Sequence, residues 1–376
     1  MLVVLCALVV SACADESERI VDPPPAEMRL VAVGRAERGG ELRLRVVQNG
    51  DTLPIANVSL SAEPAPSAAL DANDLATLLE SGSVTFTAVV GDKSLSLVQN
   101  VLLPPRVAFE MVSGGNRDIY SVRLDGRDVE RVTTNVAEDR WPTTAPGRLV
   151  YSSTRSGLTD LYALSSAGGA EDRLTTTTSL QEMEPAFSPD GSRIAFIGSE
   201  AGPVSVSKLY VASGTGTGAV RVTTNFGDAG SLESSPVWAP TNDRVAFVTT
   251  HQGSADIWVY FVNGDSIRPL VQHARADVEP AWSPDGKKLV FASNRDAPDA
   301  ELYLLDIQTG SITRLTTRTG VDAQPSWLPD GRIVYTSYEG AVSSLRWLDP
   351  PAPTFTRLIP TSAAAVKPVA LEWPSS

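Results

Sequence analysis

The chain has 376 residues, with 44 acidic and 31 basic side chains, so its formal net charge is −13 and its isoelectric point is near 4.7. This acidity excludes nucleic acid and anionic lipid headgroups as electrostatic partners and is compatible with a basic protein or a cationic ligand. Two cysteines and two histidines offer little for disulfides or metal sites. We therefore expect no cofactor and no metal.

The first segment is an apolar stretch of 11 residues, Leu2–Ala12. It is too short to span a bilayer and has the length of the hydrophobic region of a signal peptide. It runs into Val10-Ser11-Ala12-Cys13, which resembles a lipobox. The resemblance implies that residues 1–12 are removed and that Cys13 becomes the lipidated first residue of the mature protein. The alternative is an ordinary signal peptide cleaved nearby, with Cys13 incidental.

Residues 13–27 follow as a tether. They are acidic and contain Pro23-Pro24-Pro25, a composition typical of an extended linker. With lipid on Cys13, we expect membrane attachment through the lipid. The expected location is the cell envelope, as a periplasmic or outer-membrane lipoprotein.

Residues 28–104 are expected to form a small β-sandwich. The strand-like segments alternate polar and apolar residues and are separated by Gly- and Asn-containing turns, which is the pattern of short antiparallel strands. The predicted strands are Glu41–Val47, Ala56–Ala62, Ser83–Val90 and Ser94–Val98. The phrases from Asn49 to Leu60 and from Ser81 to Ala88 resemble bacterial Ig-like domains.

Residues 105–376 contain a repeat. Six apolar triplets recur at spacings of 42 to 51 residues, and each is followed by a polar loop, an aromatic strand and an arginine-containing strand. A repeat of this length with four short strands is the signature of a β-propeller blade. The triplets begin at Val107, Leu149, Ile194, Val245, Leu289 and Ile333.

A Pro-x-aromatic phrase precedes most of these triplets, often followed by Ser-Pro-Asp-Gly, as in Ser188–Gly191. Proline, aspartate and glycine in this order predict a type I turn. The earlier prolines, such as Pro185 and Pro280, cannot donate to a sheet ladder. We therefore expect each of them to be the first residue of its strand.

The fourth strand of every unit carries an arginine, which we interpret as a charge that prevents pairing at an exposed sheet edge. The first unit lacks its first strand. The C-terminal segment around Pro368–Trp373 is expected to supply it by pairing with Val107–Met111, which closes the ring.

These phrases, Pro-x-Trp-Ser-Pro-Asp-Gly and Arg-Leu-Thr-Thr, resemble the TolB-type propeller repeats of bacterial envelope proteins over residues 107–376. The resemblance implies an all-β chain with a six-bladed β-propeller behind the Ig-like sandwich. It also implies a protein–protein contact with an envelope partner, and we expect a monomer.

Enzymatic functions are mostly excluded. The chain has no Gly-x-Ser-x-Gly elbow, and its histidines, His251 and His273, are too few for a metal cluster of the lyase type. The loop Asn294–Glu301 has oxygens for calcium but lacks the spacing of a calcium loop. Paired carboxylates suffice for glycosidases, so a carbohydrate-binding or carbohydrate-active propeller is the alternative to a non-enzymatic interaction module.

The candidate partner-binding face carries the loops that lead into the first strands and the loops between second and third strands, and we expect it to point away from the sandwich. Loops on a rigid scaffold are common binding sites. Charge reversal at Glu182, Glu279 and Asp322 is expected to weaken a basic partner without changing the melting temperature. For Glu184 and Glu279 the alternative is that they cap backbone N–H groups. The candidate residues are Glu138, Asp139, Glu182, Glu184, Asp228, Glu233, Asp277, Glu279 and Asp322.

Overall fold

A computed structural model describes residues 28–371, apart from residues 35, 38–40, 49–50, 53–58, 64–67, 71–74, 79–80, 167–169, 201–205, 225, 227–229, 351 and 359–363. The chain divides into two compact units, Met1–Leu103 and Pro104–Ser376. The described residues include no helix long and apolar enough to cross a membrane. The expected signal peptide, Cys13 and the tether lie outside the described residues.

The first unit contains two antiparallel sheets. The five-stranded sheet has the order β1-β2-β6-β5, with β3 paired to β2, and the three-stranded sheet has the order β4-β7-β8. The strands are β1 (Met28–Gly34), β2 (Glu41–Gln48), β3 (Asp51–Thr52), β4 (Ser59–Glu63), β5 (Ala68–Leu70), β6 (Leu75–Leu78), β7 (Gly82–Val90) and β8 (Lys93–Val101).

Both sheets of this unit contribute to one apolar core. Leu42 and Leu44 of β2 pack in the same buried cluster as Val84 and Phe86 of β7. Each pair is two residues apart because alternate side chains of a strand face the same side of its sheet. The alternating pattern of the sequence therefore identifies the buried face of each strand.

The second unit consists of six four-stranded antiparallel sheets in its described part, numbered here 1 to 6. Sheet 1 is completed by the last strand of the chain, and sheets 2 to 6 are each built from consecutive strands. Sheet 1 contains β9 (Arg106–Ser113), β10 (Asn116–Arg123), β11 (Glu130–Arg131) and β32 (Ala365–Leu371). Sheet 2 contains β12 (Asp139–Ala145), β13 (Arg148–Ser153), β14 (Asp160–Ser165) and β15 (Asp172–Arg173).

The remaining sheets follow the same order along the chain. Sheet 3 contains β16 (Leu180–Phe187), β17 (Arg193–Glu200), β18 (Ser207–Ser213) and β19 (Val220–Arg221). Sheet 4 contains β20 (Glu233–Trp238), β21 (Arg244–Thr249), β22 (Asp256–Phe261) and β23 (Ser266–Val271). Sheet 5 contains β24 (Asp277–Trp282), β25 (Lys288–Ser293), β26 (Glu301–Asp306) and β27 (Ile312–Arg314). Sheet 6 contains β28 (Val321–Trp327), β29 (Ile333–Glu339), β30 (Val342–Asp349) and β31 (Ala352–Arg357).

The sheets form a closed, propeller-like ring. The six inner strands β32, β12, β16, β20, β24 and β28 contact one another in that order, and β28 contacts β32 again. The pairing expected for the C-terminal strand is confirmed, since Val369 and Ala370 lie opposite Ala108 and Val107 of β9. Closure places the inner edges of the sheets at the centre of the ring, where they are short and protected.

Apolar packing joins each sheet to the next. The predicted apolar triplets lie on the second strands and are fully buried, as at Val107, Leu149 and Ile333. Each junction between neighbouring sheets contains its own buried apolar cluster, and this includes the junction of sheet 6 with sheet 1. Each second strand is covered on both faces, which explains its uninterrupted apolar sequence.

The prolines of the inner strands are not strand starts, contrary to the sequence prediction. The strand of sheet 3 begins at Leu180 and that of sheet 5 at Asp277, several residues before Pro185 and Pro280. Each proline lies at a register shift in the pairing with the second strand. A β-bulge leaves a residue out of the ladder, so proline is tolerated there as well as at a strand end.

Candidate functional site: a central pocket

A pocket of about 190 Å³ lies at the centre of the ring. Each inner strand contributes three consecutive residues to its wall, and the second of each three is the bulge proline. The residues before the prolines occupy equivalent positions in the six sheets. In the order of sheets 1 to 6 they are Lys367, Trp141, Glu184, Ser235, Glu279 and Gln324.

All six residues before the bulge prolines have a left-handed backbone, with φ between 51° and 54°. A side chain disfavours this region, at a cost of about 1–3 kcal/mol for each residue. The conformation is the same whether the residue is Trp141, Ser235 or Lys367. The bulge therefore imposes it and leaves the identity of the side chain free to vary.

Hydrogen bonds between neighbouring sheets stabilise these bulges. Glu184 Oε2 accepts the backbone N–H of Ser235 at 2.6 Å, and Glu279 Oε2 accepts that of Gln324 at 2.7 Å. Gln324 Oε1 in turn accepts the N–H of Lys367 at 3.0 Å. The alternative considered for Glu184 and Glu279 is thus confirmed, and the N–H groups they cap belong to the next sheet.

The pocket has a mixed electrostatic character. Burial raises the pKa of Glu279, and Glu184 raises it further, whereas the ammonium group of Lys367 lowers it. Lys367 Nζ lies 5.4 Å from the centroid of the Trp141 ring, within the range of a cation–π contact. The pocket therefore contains two carboxylates, one ammonium group and one indole.

Five of the nine predicted partner-binding carboxylates are buried, which corrects the expectation that they face a partner. They belong to the inner strands and not to the loops before them, because those strands begin earlier than the prolines suggest. Asp139 pairs with Arg155, Asp277 pairs with Arg295, and Glu233 pairs with Lys208. The five are Asp139, Glu182, Glu233, Asp277 and Asp322, each at most 1% exposed.

Glu182 and Asp322 are poor sites for charge reversal. Burial raises the pKa of both carboxyl groups. A lysine at either position would bury an ammonium group in a site built for a carboxyl group. An unpaired buried charge lowers the free energy of unfolding by several kcal/mol. The expectation that reversal leaves the melting temperature unchanged is therefore corrected for these two residues.

The other candidates divide into three groups. Glu138 is exposed and pairs with Arg140. Glu184 and Glu279 line the central pocket. Asp228 lies outside the described residues.

Three of the fourth-strand arginines, Arg131, Arg173 and Arg314, make ion pairs that the sequence analysis did not predict. Arg131 donates to Asp118 of the third strand at 2.7 Å and to the carbonyl of Thr133 at 3.0 Å. The Thr133 hydroxyl accepts the N–H of Ile119 at 3.0 Å. Arg173 and Arg314 make the same pattern with Asp160 and Glu301. In sheets 1, 2 and 5 the Arg-x-Thr phrase therefore extends the sheet beyond a very short fourth strand.

Sequence reasoning missed the buried acid that receives this arginine. It appears as Asp or Glu two residues before an aromatic residue at the start of the third strand, as in Asp160-Leu161-Tyr162. Sheet 3 has Lys208 at this position. Lys208 Nζ donates to the Ser231 carbonyl at 2.7 Å and lies 3.4 Å from Glu233 Oε1. In sheet 3 the third strand therefore carries the cation, and its ion pair is with the inner strand of sheet 4.

The described residues include no group of three or more His, Cys, Asp or Glu side chains placed to hold a metal ion. His251 packs its ring against Phe226 and Trp258, with centroids 4.6 Å and 5.7 Å away. His273 accepts the backbone N–H of Arg275. Both histidines have local contacts within this unit.

The sequence profile described as the TolB beta propeller domain matches residues 104–229, 176–299 and 235–345, together more than half of the chain. A protein TolB homolog of Chlorobium luteolum is 32% identical over 162 residues, which are 43% of this chain and 35% of that protein. A Tol-Pal system protein TolB of Anaeromyxobacter dehalogenans is 31% identical over 180 residues, 46% of this chain and 39% of that protein. The matched part is under two fifths of either relative.

Among solved structures, TolB from Acinetobacter baumannii is similar with a TM-score of 0.65 and 16% sequence identity. The superposition covers 84% of this chain and 85% of that chain. At this identity the likeness concerns the fold.

Proposed function

Because the chain belongs to the TolB beta propeller family, we propose that it is a cell-envelope protein whose six-bladed propeller binds a protein partner. The observation that carries the proposal is the family match over residues 104–345. The related Tol-Pal system protein TolB supports an envelope partner for this chain. The proposed role is non-enzymatic and needs no cofactor.

The proposed binding face surrounds the central pocket. Its accessible carboxylates are Glu138, which is 49% exposed at its side chain, and the two pocket residues Glu184 and Glu279. The net charge of −13 favours a basic partner surface. Long-range attraction of this kind mainly accelerates association, so it weakens as salt is added.

Replacement of Glu138 by lysine is expected to reduce partner capture from native envelopes several-fold at low salt, because it opposes a basic partner. The melting temperature should remain nearly unchanged, since exposed substitutions usually change stability by about 0.5 kcal/mol or less. Crosslinking with the purified chain measures capture, and Asp172→Lys on the exposed outer strand of sheet 2 is the matched control. Equal capture by the unchanged chain, Glu138→Lys and Asp172→Lys would refute the assignment of this face to partner binding.

We also propose that Cys13 carries lipid and that residues 28–104 form an Ig-like stalk. The lipobox-like Val10–Cys13 and the alternating strands support these two assignments. Mass spectrometry of the native protein should find residues 1–12 absent and acyl mass on Cys13. A peptide with Val10–Cys13 intact would contradict the lipid anchor.

A carbohydrate-active propeller remains the second candidate. Two carboxylates, Glu184 and Glu279, line one pocket beside Trp141, and burial raises the pKa of Glu279. Glycosidases use two carboxyl groups in different environments. Both carboxylates, however, already accept a backbone N–H of the next sheet, which supports a structural role for one oxygen of each.

A further inference from the structure

The charged residues of the central pocket alternate around the ring. Lys367 belongs to sheet 1, Glu184 to sheet 3 and Glu279 to sheet 5. The uncharged positions between them are Trp141, Ser235 and Gln324 on sheets 2, 4 and 6. Because the inner strands contact one another in ring order, the three charges form a triangle with one positive and two negative corners.

Two of the three charged groups, Lys367 and Glu184, retain unused binding capacity. Lys367 Nζ makes no ion pair and no hydrogen bond with the described residues, and it lies over the Trp141 ring. Glu184 uses Oε2 for the N–H of Ser235, and its Oε1 has no hydrogen bond with the described residues. An ammonium group has three donors and a carboxylate has about four acceptor positions, so both can bind a further charged group.

The arrangement separates the two signs of charge. Glu184 and Glu279 flank Ser235, so this side of the pocket suits an ammonium group. Lys367 lies between Gln324 and Trp141, so the opposite side suits a carboxylate. A simple amine would leave Lys367 unpaired, and an anion would face two carboxylates. A molecule with both charges complements all three corners.

We propose that the central pocket binds a small zwitterion of amino-acid size, with its ammonium group between Glu184 and Glu279 and its carboxylate at Lys367. The volume of about 190 Å³ limits the ligand to roughly this size. Charge-assisted hydrogen bonds at both ends give the specificity, and the Trp141 ring covers the aliphatic part.

Titration calorimetry with 4-aminobutyrate, butylamine and butyrate tests the proposal on the full chain. The three probes share an aliphatic chain and differ in which charges they carry. We expect 4-aminobutyrate to bind at least about tenfold more tightly than butylamine, and butyrate to bind more weakly still, because each lost charge-assisted hydrogen bond weakens the complex by about an order of magnitude.

Two variants locate the binding in the pocket. Lys367→Met should remove the preference for 4-aminobutyrate over butylamine, and Glu184→Gln should weaken both amines about tenfold. Both substitutions preserve the hydrogen bonds of these bulges. The backbone N–H of Lys367 still donates to Gln324, and a glutamine oxygen can still accept the N–H of Ser235. Lys287→Met, in the exposed turn of sheet 5, is the matched control.

The proposal is overturned if no probe binds saturably, if the three probes bind equally, or if Lys367→Met behaves as Lys287→Met does. Thermal unfolding of each variant verifies that it is folded before titration. No protein partner takes part, so failure here leaves the capture experiment with Glu138 unaffected.

Discussion

Deletion of residues 362–376, which removes β32, is expected to abolish cooperative folding of the ring of sheets. The deletion leaves β9 without its inner partner strand and takes buried Ala365 and Leu371 from two clusters that join sheet 1 to its neighbours. One edge of β9 becomes free, which also favours aggregation. We expect a loss of more than about 5 kcal/mol, comparable with the whole stability of many domains.

Circular dichroism during thermal unfolding, together with limited proteolysis, measures this effect. Deletion of residues 374–376 is the control, because it ends beyond β32 at Leu371. A chain without residues 362–376 that still unfolds cooperatively, within about 1 kcal/mol of the full chain, would show that β32 does not close the ring.

Lys208→Met is expected to destabilise the second unit by about 3–5 kcal/mol, because it leaves Glu233 buried without its cation. Glu233 is 1% exposed, and its Oε2 also accepts the Leu209 N–H at 2.6 Å and the Thr223 hydroxyl at 2.8 Å. The double variant Lys208→Met/Glu233→Gln should recover most of the loss, because no buried charge remains. Denaturant unfolding of both single variants and the double variant measures this coupling.

The cost of Lys208→Met should rise with pH. Burial raises the pKa of Glu233, and Lys208 opposes that shift, so the pKa rises further when the lysine is removed. A raised folded-state pKa favours the protonated form, so stability falls as pH increases through that pKa. The loss should thus be larger at about pH 8 than at about pH 5, because the carboxyl group of Glu233 is more fully ionised at the higher pH. An equal loss at both would exclude an uncompensated carboxylate as its cause.

The repeat, the buried second strands and the closing strand could be predicted from the sequence. Apolar triplets such as Val107–Phe109 and Ile194–Phe196 recur at a regular spacing, and each is long enough to fill a strand that is covered on both faces. Sheet 1 lacked a first strand in the local sequence, so another part of the chain had to supply it. The local sequence determined these features because strand burial depends on the side chains of the strand itself.

The start of each inner strand could not be read from the sequence, because proline is compatible with both a strand end and a bulge. Because of this ambiguity, the sequence pattern placed Glu182 and Asp322 in loops, whereas they occupy buried positions on inner strands. The arginine of the fourth strand was also ambiguous, since an exposed charge and an ion pair with buried Asp118 have the same local sequence.

The sequence by itself determined which segments form the sheets and how the ring closes. Only the tertiary structure decided which carboxylates are accessible. Glu279 and Asp277 are two residues apart on one strand, yet one lines the central pocket and the other is paired with Arg295. Their difference arises at the bulge before Pro280, where the left-handed backbone of Glu279 turns its side chain out of the alternation. The partners that stabilise this bulge come from neighbouring sheets, dozens of residues away in the chain.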